Sequence, residues 1–152
     1  MPANDTSDPL IVELMGRIEE YRKQYDFGSA KFNRDGVTHL YKKDADFTAY
    51  DVAPPVGGYI GWDRYAVGWY EVMNKYREIH FKFNDDLRVF RRGDVGWSSL
   101  SARWYGVSVG GESFNKDFRL TLVWVRENGA WVITHEHASA PRLSQLASGE
   151  TV

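Results

Sequence analysis

Apolar residues recur at helical spacing in two parts of the chain. The first part follows Asp8-Pro9, where an N-cap carboxylate precedes a proline at the first helical position, and this predicts the start of a helix. The second part runs from Trp62 to Tyr76, where Trp62, Tyr65, Trp69, Met73 and Tyr76 follow one another at intervals of three and four residues. Both parts predict an amphipathic helix with one buried face. A shorter helix is expected around residues 36–42, with Asp35 near its start.

The rest of the chain carries strand signals separated by turn residues. A first strand is expected over residues 46–51, followed by a loop over 52–61, where two prolines and three glycines fall within ten residues. Further strands are expected over 80–90 and 97–109, and in a closing hairpin over 118–139. Helices followed by a long antiparallel meander predict an α+β fold.

Alternation along the first strand leaves its orientation open. One face carries Asp46 and Tyr50, and the other carries Asp51. Periodicity does not decide which face is inward, so the pocket group is Asp46 or Tyr50 in one orientation and Asp51 in the other. The alternative is a solvated edge strand, because Asp side chains are mostly exposed.

The closing hairpin has a turn that fixes a predicted register. Asn128-Gly129 supplies the two residues of positive φ that a type I′ turn needs. An unbulged hairpin gives the pairs Trp124–Ile133, Leu122–His135 and Leu120–His137. Since paired residues share a face, this register places on the core side Phe118, Leu120, Leu122, Trp124, Trp131, Ile133, His135, His137 and Ser139. It places Arg119 and Glu136 on the opposite side, as a pair at the surface or at a dimer interface.

The two histidines are the best candidates for chemistry. Imidazole titrates near neutrality, so His135 and His137 in one dry cavity could act as base and acid. Tyr50 or Asp46 would orient an imidazole or polarise a substrate carbonyl. The alternative is that both histidines are hydrogen-bonded core residues that hold the hairpin together.

Metal and nucleophile chemistry find little support in the sequence. His-x-His on a strand points two ligands the same way, but a third ligand would have to come from His80, His39 or a carboxylate, and no spacing indicates one. We therefore expect no metal site and no cofactor. A Gly-rich phosphate loop, a serine nucleophile elbow and an HExxH helix are all lacking from the sequence.

Length and charge narrow the class of protein. The 152 residues predict one domain over residues 9–141, with a disordered N-terminus over 1–8 and a C-terminal tail over 142–152. A net charge of −2, with Arg91-Arg92 as the largest basic cluster, disfavours nucleic-acid binding. The lack of cysteine excludes disulfides and thiolate catalysis. The chain has no apolar run long enough to cross a bilayer, so a cytoplasmic protein without a membrane partner is expected.

Aromatic residues make up 15% of the chain, which suits a domain that wraps a pocket for flat, apolar ligands. The alternative is a curved sheet filled by bulky side chains, since an aromatic stripe on a helix is more often core than ligand site. The residues expected to contact such a ligand are Tyr59, Trp62, Trp69, Trp104, Leu120, Leu122 and Trp124.

The hairpin sequence TLVWVRENGAWVITHEHASAP, residues 121–141, resembles the closing hairpin of the nuclear transport factor 2-like superfamily. The shared features are a tryptophan strand, the Asn-Gly turn, a second tryptophan, and His-x-His-x-Ser before a proline. The resemblance is nearest to SnoaL-like polyketide cyclases, to steroid isomerase relatives and to the association domain of calcium/calmodulin-dependent kinase. It implies a cone-shaped α+β barrel, in which N-terminal helices pack on a strongly curved antiparallel sheet that encloses a pocket.

The resemblance also implies two functions. One is a cofactor-independent lyase, isomerase or cyclase that transfers protons on a small, apolar, steroid- or polyketide-like carbonyl substrate, as scytalone dehydratase does with histidines, tyrosine and aspartate. The other is a non-catalytic module for ligand binding or dimeric assembly, since the superfamily holds both kinds of protein. Under either function, Val123, Val125 and Val132 on the outer sheet face favour a homodimer through that face.

Overall fold

The computed structural model describes residues 2–141. It contains three helices and an open, mostly antiparallel sheet of seven strands, and the predicted α+β cone fold is confirmed. The helices are α1 (Pro9–Tyr25), α2 (Arg34–Thr38) and α3 (Trp62–Met73). The strands are β1 (Thr48–Tyr50), β2 (Tyr59–Ile60), β3 (Tyr76–Phe83), β4 (Arg88–Arg92), β5 (Val95–Ser108), β6 (Ser113–Glu127) and β7 (Ala130–Ser139).

The strands are ordered β2-β1-β7-β6-β5-β3, with β4 also paired to β5. All pairs are antiparallel except β1 with β7, which are parallel. The concave face of the sheet packs against α1 and α3, and the apolar stripes of both helices are buried there. None of the helices in residues 2–141 is both long and apolar enough to span a bilayer.

The start of α1 is fixed by Asp8, as the sequence predicts. One carboxylate oxygen of Asp8 accepts a hydrogen bond from the Leu10 amide at 3.0 Å, which satisfies one of the free N–H groups at the helix start. The other oxygen accepts from Nε of Arg91 in β4 at 2.6 Å. One side chain therefore both caps the helix and attaches it to the sheet.

The residues before α1 are held by the sheet as well. The Asn4 side chain donates to the Leu87 carbonyl at 2.8 Å and accepts from the Val89 amide at 2.7 Å, and the Asn4 amide donates to the Val89 carbonyl. These contacts tie Asn4 to the sheet, within the segment 1–8 for which the sequence predicts disorder. The physical reason is that Asn4 extends the pairing of β4 with an amide side chain. The predicted tail over 142–152 lies outside the described residues.

Several predicted boundaries move in the structure, and three of the changes have a clear local cause. Helix α2 begins at Arg34 rather than near residue 36, because the Asn33 side chain caps it by accepting from the Gly36 amide. Helix α3 ends at Met73, since the backbone from Tyr76 onward pairs with β5. Two residues of the expected loop over 52–61 form the short strand β2, which pairs with β1.

The closing hairpin contains a β-bulge at Thr134. From the Asn128-Gly129 turn to the pair Trp124–Ile133, the predicted register is confirmed, and both turn residues have positive φ. The next pair along β6 is Val123 with His135, which leaves Thr134 as an extra residue in β7. An extra residue turns every later side chain of the strand to the opposite face. The unbulged register is therefore wrong beyond Trp124.

The bulge exchanges the two sets of side chains at the end of β7. Glu136 pairs with Leu122 and is buried on the concave face, with 6% of its surface exposed. His135 and His137 pair with Val123 and Thr121 and lie on the convex face. The expectation that both imidazoles face the core is therefore wrong. The expected pair of Glu136 with Arg119 is wrong too, because Arg119 is exposed and pairs in the sheet with Ser139.

Candidate functional site

A cavity of about 220 Å³ lies between α1, α3 and the concave face of the sheet. Its walls are largely apolar and aromatic, and they include Trp69, Met73, Phe81, Trp104, Phe118 and Leu120. Its polar lining residues are Tyr21, Tyr25, Tyr50, Asp51, Tyr65, Lys116, Asp117 and Glu136. An apolar cavity with a few convergent polar groups is the usual form of a small-molecule site.

Glu136 is the centre of a hydrogen-bond network in the cavity wall. Its carboxylate accepts from the Tyr21 hydroxyl and, at 2.5 Å, from the Tyr65 hydroxyl. It also accepts from the Tyr41 hydroxyl at 3.1 Å. The donors come from α1, from α3 and from the segment after α2, so one carboxylate joins three separate elements. All four side chains are buried.

A fourth tyrosine extends this network. The hydroxyls of Tyr25 and Tyr41 lie 2.7 Å apart. Since the Tyr41 proton is directed at Glu136, Tyr25 is the donor in this pair. We call Glu136 together with Tyr21, Tyr25, Tyr41 and Tyr65 the Glu136–tyrosine network. Burial raises the pKa of each of these tyrosines well above its ordinary value, so all four hydroxyls keep their protons.

Burial also raises the pKa of Glu136 above its ordinary value of 4.5. Hydrogen bonds from the tyrosines favour the carboxylate and act against this rise, whereas the nearby Asp51 charge adds to it. The raised pKa brings the proton of Glu136 closer to the neutral range. The network can therefore hold either four protons or five.

Asp51 is a second carboxylate of the cavity and follows directly after β1. It is half-buried, and burial raises its pKa, while hydrogen bonds from the Val52 and Ala53 amides act against the rise. In the described part of the chain, no cationic side chain forms an ion pair with Asp51 or Glu136. The charge of Asp51 discourages Glu136 from ionising, and carboxylates that share one apolar cavity are common in acid–base sites.

Trp69 of α3 presents a buried polar atom that has no partner. Its side chain lines the cavity and is 4% exposed, and its Nε1 has no hydrogen-bond acceptor among residues 2–141. Burial raises the pKa of Tyr25, and its interaction with the Trp69 side chain is one of those that act in the opposite direction. This interaction with the Tyr25 hydroxyl partly offsets the cost of burying the indole N–H without a well-aligned acceptor.

The family follows from comparison with known sequences. The model of the SnoaL-like domain family matches residues 27–142. The chain belongs to this family. The match covers α2, α3 and all seven strands, and it confirms the resemblance seen in the hairpin. No curated protein matches the sequence.

Solved structures show that this SnoaL-like chain has the nuclear transport factor 2-like fold. A protein from Streptomyces avermitilis, named as a proposed dehydratase of that family, is 17% identical with a TM-score of 0.75 and covers 90% of this chain and 99% of its own. A proposed ketosteroid isomerase from Shewanella frigidimarina is 18% identical with a TM-score of 0.65, covering 82% and 92%. The association domain of the kinase CaMKII from C. elegans is 16% identical with a TM-score of 0.62, covering 90% and 100%.

The residues predicted to be catalytic are mostly placed away from the cavity of this SnoaL-like domain. His135 and His137 are not among its lining residues, and the Nδ1 atom of His135 lies 2.7 Å from the Thr48 hydroxyl on the convex face. Tyr50 lines the cavity, but its ring also packs against both imidazoles. Asp46 is exposed and does not line the cavity. The inward face of β1 is thus the one that ends in Asp51.

The predicted binding residues divide into two groups. Trp69, Trp104 and Leu120 line the cavity. Tyr59, Trp62, Leu122 and Trp124 do not, although three of them are buried core residues and Tyr59 packs on Tyr65. Trp124, for example, lies in the core beside Ser98 instead of at the cavity, and its Nε1 donates to the Ser98 hydroxyl. Strand alternation identifies the inner face correctly but does not say how far along the strand the cavity extends.

Sequence reasoning missed the Glu136–tyrosine network. Tyr21 and Tyr65 lie on the helix faces that the sequence predicts to be buried. Helical periodicity predicts that a side chain is buried, but it does not predict which hydrogen bond its hydroxyl makes. Glu136 is missed because the bulge reverses its face. A signal was present in the abundance of tyrosine at buried positions, since a buried hydroxyl needs a partner.

Proposed function

We propose that this SnoaL-like protein transfers a proton on a small, apolar carbonyl compound, with Asp51 as the base. The observation that supports the proposal is the presence of two carboxylates, Asp51 and Glu136, without a paired cation in one aromatic cavity. A base works best when its pKa lies near the operating pH. Burial moves the pKa of Asp51 in that direction.

In the proposed reaction, Asp51 removes a proton from the carbon next to the carbonyl, and negative charge develops on the carbonyl oxygen. The Glu136–tyrosine network supports this charge when Glu136 holds a proton. The Glu136 O–H then donates to one tyrosine oxygen, and that tyrosine can direct its own O–H at the substrate. Return of the first proton from Asp51 to another carbon gives an isomerisation. Transfer of that proton to a β-hydroxyl, whose C–O bond breaks as water leaves, gives a dehydration.

The size of the cavity favours compounds of one or two rings. Its volume of about 220 Å³ lies below the range of about 300–1,000 Å³ that is typical of pockets for drug-sized ligands. A steroid of four rings is therefore a poorer candidate than a small cyclic or aromatic ketone. The names of the dehydratase and ketosteroid isomerase neighbours are consistent with proton transfer of this kind, although likeness at this identity extends to the fold alone.

The test is hydrogen–deuterium exchange at the carbon next to a carbonyl, measured by NMR in D₂O with 2-tetralone as the probe. Wild-type protein should accelerate the exchange, and Asp51→Asn should lower the rate by about 10²–10⁴, the usual contribution of a general base. Asp117→Asn is the matched control. Asp117 also lines the cavity, but it is exposed and lies 3.7 Å from Arg103, so its replacement should leave the rate unchanged.

Two results would contradict the proposal. One is that wild-type protein exchanges the protons of every small cyclic ketone in a panel no faster than buffer alone does. The other is exchange that survives Asp51→Asn. Melting temperatures of both variants would show that the comparison is made between folded proteins.

We also propose that two copies associate through the convex face of the sheet. That face exposes 46% of Val95 and 36% of Trp97, next to the half-buried Val123, Val125 and Val132. Exposed apolar patches of this kind mark interaction surfaces. Sedimentation should show a dimer that Trp97→Arg dissociates. Val67→Arg on α3, at a position 59% exposed, should leave the dimer intact; a monomeric wild type would refute the proposal.

A further inference from the structure

The cavity has a single basic residue in its wall. Of the lining residues in the part of the chain that the structure describes, only Lys116 of β6 is a cation. Its neighbours at alternate positions on β6 are apolar, and they continue the inner face of the sheet: Phe114, Phe118, Leu120, Leu122 and Trp124. Lys116 thus occupies an inward position and brings a charge to a face that is otherwise apolar along this strand.

Aromatic rings surround this position. Lys116 pairs across the sheet with Trp104, and paired residues share a face. The Trp104 ring lies 5.3 Å from that of Phe114 and 6.4 Å from that of Phe118, measured between centroids. The side chain of Lys116 is exposed, so its ammonium lies at the mouth of the cavity while its stem starts among the rings.

The two ends of the cavity carry opposite charges. Lys116 forms no ion pair within residues 2–141, and its neighbour Asp117 is directed to the other face, 3.7 Å from Nε of Arg103. Asp51 follows directly after β1 and lies near the row of Leu120. Lys116 is four residues from Leu120 along β6, which is about 13 Å at the usual rise of a strand. An aromatic stretch of the cavity therefore separates the carboxylate from the ammonium.

We propose that the substrate of this cavity is a flat cyclic ketone that carries a carboxylate, and that Lys116 binds this carboxylate at the mouth. The inference rests on the proposed function, since it names the substrate class of that same site. A carboxylate at the inner end would meet the like charges of Asp51 and Glu136. At the mouth it meets an ammonium that has no other partner in the described chain. The aromatic walls supply flat surfaces for the ring between the two ends.

This ion pair also orients the substrate. With the carboxylate held at the mouth, the carbonyl end of the ring points inward, toward Asp51 and the Glu136–tyrosine network. Lys116 determines specificity in this arrangement, while Asp51 moves the proton. Because Lys116 lies far from the reacting carbon, its contribution is the same in the ground state and in the transition state. Its loss should therefore raise KM for a keto acid and leave kcat unchanged.

The first test measures the binding of three naphthalene probes by titration calorimetry at about pH 7.5, where a carboxyl is ionised and an amine is protonated. 2-Naphthylacetate is an anion, 2-naphthylacetamide is a neutral analogue of the same shape, and 2-(2-naphthyl)ethylamine is a cation. Wild-type protein should bind the anion about two- to fivefold more tightly than the amide, the usual strength of an exposed ion pair. This advantage should shrink at about 0.5 M salt, because salt screens such a pair.

Three variants identify the partner of the anion. Lys116→Met removes the charge and keeps a long side chain, so it should bring 2-naphthylacetate to the affinity of the amide and leave the amide unchanged. Lys116→Arg should keep the preference for the anion. Lys43→Met is the matched control and should alter none of the affinities. Lys43 is exposed and does not line the cavity, and it follows Lys42, whose amide donates to Ile133 at the other end of the sheet.

The second test follows deuterium exchange into 2-tetralone and into 2-tetralone-6-carboxylate. Lys116→Met should raise KM for the keto acid by about two- to fivefold. It should leave kcat for the keto acid unchanged, and it should alter neither constant for the neutral ketone. A merely structural role of Lys116 would affect both compounds alike.

Three outcomes of the binding test would overturn the inference. One is that wild-type protein binds 2-naphthylacetate no more tightly than the amide, or not at all. Another is a preference for the anion that survives Lys116→Met. The third is tightest binding of the amine, which would mean that Asp51 and Glu136 govern recognition. Failure of the proposed function looks different, because exchange with 2-tetralone would be lost or independent of Asp51 while the preference for the anion persisted. Asp51→Asn should retain that preference.

Discussion

Removing one hydroxyl from the Glu136–tyrosine network should destabilise the protein by an amount that depends on pH. Tyr21→Phe deletes one donor to the Glu136 carboxylate and keeps the ring, which packs on Tyr25 with ring centroids 4.6 Å apart. A hydrogen bond to a charged group contributes about 1.5–3 kcal/mol, and one between neutral groups contributes about 0.5–1.5 kcal/mol. The larger loss is expected where Glu136 is ionised, and the smaller loss where it is protonated.

The direction of this pH dependence follows from the effect of the Tyr21 hydrogen bond on the pKa of Glu136. The Tyr21 hydroxyl lowers that pKa, because it stabilises the carboxylate. The cost of Tyr21→Phe should therefore be full above the pKa of Glu136 in the folded protein and should shrink as the pH falls through it. For a domain of this length, a loss of about 1.5–3 kcal/mol lowers the melting temperature by about 3–12 °C.

Urea unfolding of wild type and variant at a series of pH values measures this difference in the free energy of unfolding. Tyr25→Phe is the matched control, since Tyr25 donates to a neutral hydroxyl. Its cost should be about 0.5–1.5 kcal/mol and independent of pH over the same range. Equal costs for the two variants, or a Tyr21→Phe cost that does not shrink in acid, would refute the reasoning.

Two further predictions concern the charge of Glu136 and the close approach of β3 and β5 at Gly106. Burial raises the pKa of Glu136 above 4.5, so the contribution of Glu136 to stability is present below that pH and is lost as the pH rises through the folded-state pKa. The free energy of unfolding of wild type should therefore fall relative to that of Glu136→Gln as the pH increases. A difference between the two proteins that stays constant with pH would contradict this prediction. A Cβ on Gly106 would lie 1.9 Å from the Glu78 carbonyl oxygen, whereas one on Gly110 would meet nothing nearer than 3.7 Å. Gly106→Ala should therefore cost about 1–3 kcal/mol in urea unfolding, clearly more than Gly110→Ala, and a smaller cost would mean that the backbone adjusts freely.

The fold follows closely from local signals in the sequence. The N-cap at Asp8, the aromatic stripe that starts at Trp62 and the Asn128-Gly129 turn are each decided by a few neighbouring residues, and each is confirmed. The hairpin pattern also identified the superfamily, which the family match confirms. Such features are predictable because the chemistry that fixes them lies within a few positions of the chain.

The candidate site is less predictable because it depends on contacts between distant residues. Thr134 is an ordinary strand residue, and nothing in its neighbourhood marks it as the extra residue of a bulge. The bulge is favoured in the folded protein because it delivers Glu136 to hydroxyls from α1 and α3, which lie 115 and 71 positions away along the chain. It also leaves His135 and His137 at the convex face. A single inserted residue thus exchanged the histidines for a glutamate in the cavity.

Exchange of deuterium into 2-tetralone by two variants tests the central claim most directly. Asp51→Asn removes the proposed base, and a double variant, His135→Ala with His137→Ala, removes both imidazoles from the convex face. If the carboxylates in the cavity carry the chemistry, Asp51→Asn lowers the rate by at least about a hundredfold, while the double variant keeps the wild-type rate. Loss of exchange in the histidine variant, with full activity in Asp51→Asn, would contradict the account.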